Sequence, residues 1–185
     1  AGLRMVAPEK DHESVRKPLA FVQSQIRELQ SESKIIKHKP LFVPAGQSTQ
    51  MVIGATPETD LEIMNVANTF YKDYNLKRVY YSAYVPVTNE NPPLVRKNRL
   101  YQTDWLLRFY GFELEEILNP GHSSLDLDID PKLGWALRNP HYFPVDVNTA
   151  PYKALLRIPG VGRQSALKMV QARKFGRLHE YQLRK

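Results

Sequence analysis

Cysteine is missing from this 185-residue sequence. Its absence excludes disulfide bonds, zinc sites with thiolate ligands, cysteine nucleophiles and iron–sulfur clusters held in the usual way by this chain. Long apolar runs are missing too, since no stretch approaches the roughly 18 to 20 residues of a membrane span, and the N-terminus shows no signal-peptide pattern. The sequence therefore predicts a soluble, cytoplasmic protein long enough for one or two domains.

Motifs for common cofactors and nucleophiles are missing as well. There is no P-loop, dinucleotide fingerprint or nucleophile elbow, and the five histidines are scattered without metal-ligand spacing. Asp126, Asp128 and Asp130 alternate with apolar residues, as in a calcium loop. However, Pro131 stands where that loop needs glycine, and Leu137 stands where it needs glutamate. We interpret the three aspartates as a solvated face.

Acidic residues are scarce at the C-terminal end of the sequence. From Pro151 to Lys185 there are nine Lys or Arg residues and one acidic residue, Glu180, a net charge of +8. The first 150 residues hold 17 basic and 18 acidic residues, a net charge of −1. A near-neutral body with a basic segment is typical of a polyanion-binding module attached to another domain. A charge-rich helical pair can also be merely well solvated, but an asymmetry this complete favours nucleic acid.

The first 90 residues alternate between strand and helix patterns. The stretches Leu3–Lys10, Thr49–Ala55 and Lys77–Val87 predict strands, the first one ending at Pro8 and the last one stopped by Pro86. A helix over Leu19–Gln30 has apolar residues three and four apart on one face. That face consists of Leu19, Val22, Ile26 and Leu29. The order predicts two βαβ units with parallel strands, and it leaves open whether they form an open sheet or a segment of a barrel.

A second helix of this region is predicted within "TPETDLEIMNVANTFYKDYN". Thr56 is the expected N-cap, and Pro57 fits the first turn. Glu58 and Asp60 suit the positive end of the helix dipole. An apolar stripe is expected to face the core, and it comprises Leu61, Met64, Ala67, Phe70 and Tyr74.

A polar loop divides the sequence. "TNENPPLV" (Thr88–Val95) has the composition of a loop and marks a candidate domain boundary. The helix that follows is expected to end at Gly111 and to turn most of its apolar residues inward. These are Leu100, Trp105, Leu107 and Tyr110. The predicted organisation is an α/β domain over 1–92, a helical or irregular connecting region over 93–145 and an all-α module over 146–185.

Residues 155–170, "LLRIPGVGRQSALKMV", indicate two helices joined by a turn that contains two glycines. Asn148 or Thr149 is expected to cap the first helix, with Pro151 in its first turn. The inward face of the second helix is expected to hold Ala166, Met169 and Val170. Its outward face is expected to hold Arg163, Lys168 and Arg173.

Glycine at two hairpin positions suits the approach of a ligand. Gly160 and Gly162 can adopt positive φ and expose backbone N–H groups at the N-terminus of the second helix, where helix ends attract anions. A side chain at either position would stand between those amides and a phosphate. Ile158 and Val161 are the apolar residues expected to seat the hairpin between the helices.

The hairpin resembles the helix-hairpin-helix family of DNA-binding motifs, which bind without sequence specificity. "IPGVGRQSALKM" meets the family pattern hPGhGxxxAxxh, in which h is apolar, and the resemblance covers residues 147–173. It implies contact with the DNA backbone through the hairpin and the second helix. The residues implied are Ile158, Gly160, Val161, Gly162, Arg163, Ser165 and Lys168.

The rest of the chain resembles radical S-adenosylmethionine (radical SAM) enzymes, in particular DNA modification or repair proteins that join such a barrel to a C-terminal helix-hairpin-helix. The stretches that carry this resemblance include "FVPAGQSTQMVIGATPETDLEIM", "LKRVYYSAYVPV" and "LDLDIDPKLGWALRNPHYFPVDVN". It implies a partial TIM-type barrel followed by an all-α helix-hairpin-helix module. In such enzymes a CxxxCxxC loop holds a 4Fe-4S cluster that cleaves S-adenosylmethionine reductively. This sequence has no such loop, so the expectation is the C-terminal part of such a protein, without its N-terminal catalytic portion and inactive alone.

By the same resemblance, "QMVIGATPETD" is a later barrel strand and turn that borders S-adenosylmethionine. Val52, Ile53, Gly54 and Thr56 are then expected near the cofactor, with Gly54 allowing a close approach. A glycine that ends a buried strand is also explained without any cofactor.

Two functions of different classes remain open. In the first, the parent protein is a radical SAM enzyme acting on DNA, and this chain supplies part of the barrel and the DNA-binding motif while holding neither cofactor nor cluster alone. In the second, the chain is a non-enzymatic DNA-binding module whose α/β body mediates protein–protein contacts. A CxxxCxxC loop upstream of residue 1 would discriminate between them.

Overall fold

The structure, a computed structural model, describes residues 7–32, 42–85 and 93–183. The chain divides into two compact units, Ala1–Lys97 and Asn98–Lys185. The first unit is mixed α/β, and its described part contains a two-stranded parallel sheet, whereas helices and turns dominate the second unit. The domain boundaries expected after residues 92 and 145 stay predictions.

Helix α1 spans His12–Glu32 in the first unit. Asp11 and Ser14 cap its start reciprocally: the Asp11 carboxylate accepts from Ser14 N at 2.6 Å, and Asp11 N donates to Ser14 Oγ at 3.1 Å. Because of this cap the helix begins well before the predicted Leu19, and it contains Pro18. The apolar face predicted for this helix is half-buried along its length.

Two strands and the helix between them form one βαβ unit. Strand β1, Ser48–Ile53, pairs in parallel with strand β2, Arg78–Ala83, in a register that places Ser48 opposite Arg78. Helix α2, Asp60–Tyr74, connects the two strands. The prediction of parallel pairing is confirmed for these strands.

Helix α2 begins three residues later than the predicted cap implies. Thr59 Oγ1 accepts from Glu62 N at 3.2 Å, and the Glu62 carboxylate accepts from Thr59 N at 2.8 Å, which makes a capping box. The predicted cap at Thr56 is wrong, because the helix begins at Asp60 and Thr59 is its N-cap, with Glu62 placed to complete the box. Of the predicted apolar stripe, Met64, Ala67 and Phe70 are buried, and Leu61 and Tyr74 are half-buried. Ile63, which was not predicted to belong to it, is buried as well.

Some predicted elements of the first unit lie outside the described residues. These include the apolar start of the strand expected over Leu3–Lys10, most of the loop Thr88–Val95 and the end of the strand expected over Lys77–Val87. The second expected βαβ unit therefore stays a prediction.

Helix α3, Leu94–Trp105, continues into one wider π-helical turn, Leu106–Tyr110, which ends at Gly111 with a φ of 71°. A π turn holds more residues than an α turn and so shifts which side chains face the core. Leu106 is buried, whereas the side chain of Trp105 is 52% exposed. The prediction that Trp105 faces inward is therefore wrong.

Short helices complete the second unit. They are α4 (Leu114–Ile117), α5 (Pro131–Arg138), a 3-10 turn (Pro140–Tyr142), α6 (Tyr152–Leu155), α7 (Arg163–Ala172) and α8 (Glu180–Leu183). Trp135 of α5 is buried and meets the ring of Phe112 edge-on, with 5.3 Å between the ring centroids. Such edge-to-face contacts stabilise aromatic cores beyond the burial of area.

Candidate nucleic-acid interface

The hairpin between helices α6 and α7 has a small apolar core of its own. Leu155, Leu156 and Ala166 are at most 2% exposed, and Ile158 and Val161 pack against them. Backbone hydrogen bonds close the turn: Ile158 N donates to Leu155 O at 3.2 Å, and Val161 N donates to Ile158 O at 3.1 Å. The two apolar hairpin residues therefore anchor the turn between the helices.

The two hairpin glycines differ in backbone conformation. Gly160 has a φ of +80°, where a side chain is strained, although a Cβ there would meet nothing within 4 Å. Gly162 has a φ of −86° and a ψ of 172°, and a Cβ there would lie 3.8 Å from Tyr110 Oη. Positive φ is thus correctly predicted for Gly160 and wrongly predicted for Gly162. Gly162 is the N-cap of α7, a position that takes extended backbone.

The N-terminus of helix α7 presents amides that no cap side chain bonds. The N-cap is Gly162, which has no side chain to offer, and N–H groups in the first turn of a helix have no partner within it. The three first-turn residues, Arg163, Gln164 and Ser165, are exposed. The helix dipole adds partial positive charge at the same end. This arrangement suits an anion such as phosphate.

Two exposed cations lie on helix α7. The guanidinium carbon of Arg163 lies 5.3 Å from the centre of the Phe109 ring, a cation–π contact that orients the side chain at the helix start. Lys168 is exposed further along the helix. Both side chains face outward, as the sequence predicts.

Two other arginines of the basic segment are committed to the fold. Arg173 Nη1 donates to the carbonyl oxygens of Val147, at 3.0 Å, and of Ala150, at 2.6 Å. The prediction that Arg173 faces outward is therefore wrong. Arg157 donates to both carboxylate oxygens of Glu116. The segment thus has fewer cations available to a ligand than its sequence contains.

Side chains of the segment before helix α6 bond to the backbone. The Asp146 carboxylate accepts from Asn148 N at 2.9 Å, which lowers the pKa of that carboxyl. Asn148 in turn accepts from Leu178 N at 2.8 Å and donates to Leu178 O at 3.2 Å. The N-cap of α6 is Pro151. The predicted caps, Asn148 or Thr149, are wrong, because the amide of Asn148 holds the chain that follows α7.

Lys132 contacts the hairpin, a contact that the sequence pattern does not predict. Its side chain is almost fully buried, and its Nζ donates to Val161 O at 2.6 Å and lies 5.1 Å from the centre of the Tyr110 ring. Burial lowers the pKa of Lys132 to about 8, although the nearby Asp130 carboxylate opposes the shift. The two contacting residues are 29 positions apart, so no local pattern could have indicated the contact.

An open cleft of about 370 Å³ lies beside the hairpin. Pockets that bind small molecules commonly measure about 300 to 1,000 Å³. Besides Lys132, the lining includes the aromatic residues Tyr101, Trp105 and Tyr110 and the hairpin residues Gly160, Val161 and Gly162. The cleft therefore joins an aromatic wall to the candidate anion site.

The four residues expected near S-adenosylmethionine belong to the first unit. Val52 is half-exposed and Ile53 is buried, as neighbouring strand residues on opposite faces are. Gly54 has a φ of +87°, and a Cβ there would lie 2.7 Å from Pro93 Cγ. Packing against Pro93 thus accounts for this glycine without a cofactor. Thr56 precedes helix α2. These residues supply no independent sign of S-adenosylmethionine.

Over the described residues, no group of three or more His, Asp or Glu side chains is arranged to hold a metal ion. The Asp126 carboxylate accepts from two backbone N–H groups of the turn that follows it, which lowers its pKa. Asp130 is the N-cap of helix α5 and accepts from Lys132 N and Leu133 N. The oxygens of these aspartates are thus used by a turn and a cap.

Comparison with protein-family models, with curated proteins and with solved structures finds no match for this chain. None of the described helices is both long enough and apolar enough to cross a membrane. The hairpin, the start of helix α7 and the cleft are therefore the features of this chain that indicate a function.

Proposed function

We propose that the second unit binds the phosphate backbone of DNA without sequence specificity. The observation that carries the proposal is the uncapped N-terminus of helix α7, which follows a glycine hairpin and has an exposed arginine at the same end. Phosphate is the same at every nucleotide, so contacts to it position a protein without reading sequence. The residues assigned to binding are Ile158, Gly160, Val161, Gly162, Arg163, Ser165 and Lys168.

The assigned residues have distinct parts in this proposal. Ile158 and Val161 anchor the turn in the hairpin core. The glycines keep side chains away from the amides. Arg163 and Lys168 supply the Coulomb attraction and release counterions from the DNA. Ser165 has an exposed hydroxyl that can donate to a phosphate oxygen.

Salt dependence tests the proposal. With fluorescently labelled duplex DNA, the full chain is expected to show a Kd of about 10⁻⁴ to 10⁻⁶ M at physiological salt, the range of non-specific binding. Two to four phosphate contacts predict a slope of about −2 to −4 in log K against log salt, from about 0.9 per phosphate. Two duplexes of unrelated sequence are expected to bind equally.

Charge reversal at the helix surface provides the matched variants. Arg163→Glu and Lys168→Glu are each expected to weaken DNA binding and to reduce the salt slope by about 1. Neither is expected to lower the melting temperature, because both side chains are exposed. Lys72→Glu, at an exposed helical lysine of the first unit, changes the net charge equally and serves as the control. A folded double variant with wild-type affinity would contradict the proposal.

The family resemblance extends the proposal to the whole protein. We propose a radical SAM protein of DNA modification or repair, in which β1, α2 and β2 belong to a TIM-type barrel and the second unit carries the helix-hairpin-helix module. The parallel pairing of β1 and β2 supports this. S-Adenosylmethionine and a 4Fe-4S cluster belong to that larger protein, because this sequence has no cysteine to ligate iron. A CxxxCxxC loop encoded upstream is the expected finding, and a gene without one would contradict the extension.

A further inference from the structure

The cleft beside the hairpin has an aromatic wall that has no part in binding the phosphate backbone of DNA. Trp105 lines it with half of its side chain exposed. Its indole meets the Phe109 ring edge-on, with 5.6 Å between centroids and 74° between planes, which orients the indole. Tyr101 and Tyr110 line the same cleft. A planar ligand can stack on such a surface.

Hydrogen-bonding groups lie in the same cleft. Lys132 is 8% exposed and lines it, and one of the three N–H donors of an ammonium group is directed at Val161 O. Gln102 also lines the cleft and is exposed. Its amide oxygen accepts from Arg99 Nη1 at 2.9 Å, and its NH2 group can donate to a ligand. The cleft thus combines a stacking surface with groups able to bond the polar edge of a planar ring.

We infer that the cleft takes one unstacked base of the DNA strand whose phosphates lie at the hairpin, an inference that rests on the proposed function. Gly160 and Gly162 belong both to the hairpin and to the cleft lining, so a base and a neighbouring phosphate of one strand can be held together. Bases stack on aromatic side chains whatever their sequence, which agrees with non-specific backbone binding.

This inference predicts a preference among nucleic acids. In an intact duplex the bases are stacked and paired, and turning one out requires energy. Single-stranded DNA offers unstacked bases without that requirement. The full chain is therefore expected to bind a single strand more tightly than a duplex of the same phosphate count.

Three probes of equal phosphate number separate base binding from phosphate binding. They are single-stranded DNA, a duplex of half its length, and a single strand of full length whose bases are replaced by stable abasic sites. Single-stranded DNA is expected to bind about 5- to 150-fold more tightly than the abasic strand, the range for stacking of one base. It is also expected to quench tryptophan emission. Trp105 carries that signal, because the other tryptophan, Trp135, is 2% exposed.

Variants of one cleft residue complete the test. Trp105→Ala is expected to remove the preference for bases, whereas Trp105→Phe retains a ring and part of the preference. Leu127→Ala is the matched control, since Leu127 has the same exposure of 52%, belongs to the same unit and does not line the cleft. Melting temperatures establish that each variant folds. Arg163→Glu is expected to weaken binding of the base-containing and the abasic single strand alike, and to leave the ratio of their two affinities unchanged.

The possible outcomes separate the two proposals. Equal affinity for the base-containing and abasic strands, or a folded Trp105→Ala with an undiminished preference, would overturn the cleft assignment and leave phosphate binding intact. Quenching by free thymidine monophosphate at the concentration at which the strand quenches would overturn the assignment to a DNA strand in favour of a nucleotide site. Absence of binding to all three probes would overturn both proposals.

Discussion

Raising the pH from 8 to 10.5 is expected to stabilise the second unit, and Lys132 is the residue responsible. Burial lowers the pKa of its ammonium from 10.5 to about 8 in the folded protein. Below pH 8 the lysine is charged in both states, and the folded state carries the full burial penalty. Between the two values the folded state has lost its proton while the unfolded chain still binds one, so the free energy of unfolding rises with pH.

The size of this effect follows from the two pKa values. A difference of one in pKa corresponds to about 1.4 kcal/mol. The change from 10.5 to about 8 therefore predicts a rise of about 3 kcal/mol in the free energy of unfolding. The side chain is 8% exposed but lines an open cleft, so screening by water in the cleft makes this value an upper one.

Urea unfolding followed by tryptophan fluorescence measures the effect, because both tryptophans, Trp105 and Trp135, belong to the second unit. Lys132→Met keeps an unbranched side chain and removes the titrating group. The difference in the free energy of unfolding between wild type and this variant is therefore expected to change by about 3 kcal/mol from pH 8 to 10.5. Lys174→Met removes an exposed ammonium and supplies the baseline for the loss of one lysine. Parallel stability curves for wild type and Lys132→Met would refute the reasoning.

Two further predictions concern stability and use the same urea assay. Gly160→Ala is expected to lower the free energy of unfolding by about 1 to 2 kcal/mol, since its φ is +80°, whereas Gly162→Ala, at a φ of −86°, is expected to lower it by about 0.5 kcal/mol. The reverse order would be inconsistent with the hairpin geometry. Arg157→Met is expected to lower it by about 2 kcal/mol, because Glu116 loses its cationic partner and the Phe112 ring loses a cation 4.2 Å from its centre. A variant as stable as wild type would show that this pair contributes nothing.

Elements specified by neighbouring residues are the ones that sequence reasoning could predict. The stripe of helix α2 repeats every three or four residues, and the hairpin core is formed by Leu155, Leu156 and Ala166, which lie within twelve positions. Such periodicity indicates a buried face before any tertiary contact is known. The capping box of Thr59 and Glu62 was equally available, because the two residues stand three apart.

Contacts between distant residues and one irregular turn account for the predictions that were wrong for Asn148 and Trp105. Asn148 is a plausible helix cap by residue type, but it bonds the backbone of Leu178, 30 positions later. Trp105 is apolar by residue type, but it stands five positions after the buried Leu100, about 140° around an α-helix, and in the π turn that follows it Leu106 is the buried residue. Neither a long-range bond nor a change in the number of residues per turn leaves a trace in local hydrophobic periodicity.

The basic segment shows why charge counted along a sequence overstates the charge available to a ligand. If all nine basic residues from Pro151 to Lys185 neutralised phosphates, the salt slope for DNA binding would be about −8. Arg157 is instead held by Glu116, and Arg173 by backbone carbonyls. Lys153, Lys174 and Arg177 are exposed but lie outside helix α7. The two cations of helix α7, Arg163 and Lys168, together with the amides of its first turn, account for a slope of about −2 to −4. A measured slope near −8 would mean that the hairpin is not the principal contact with DNA.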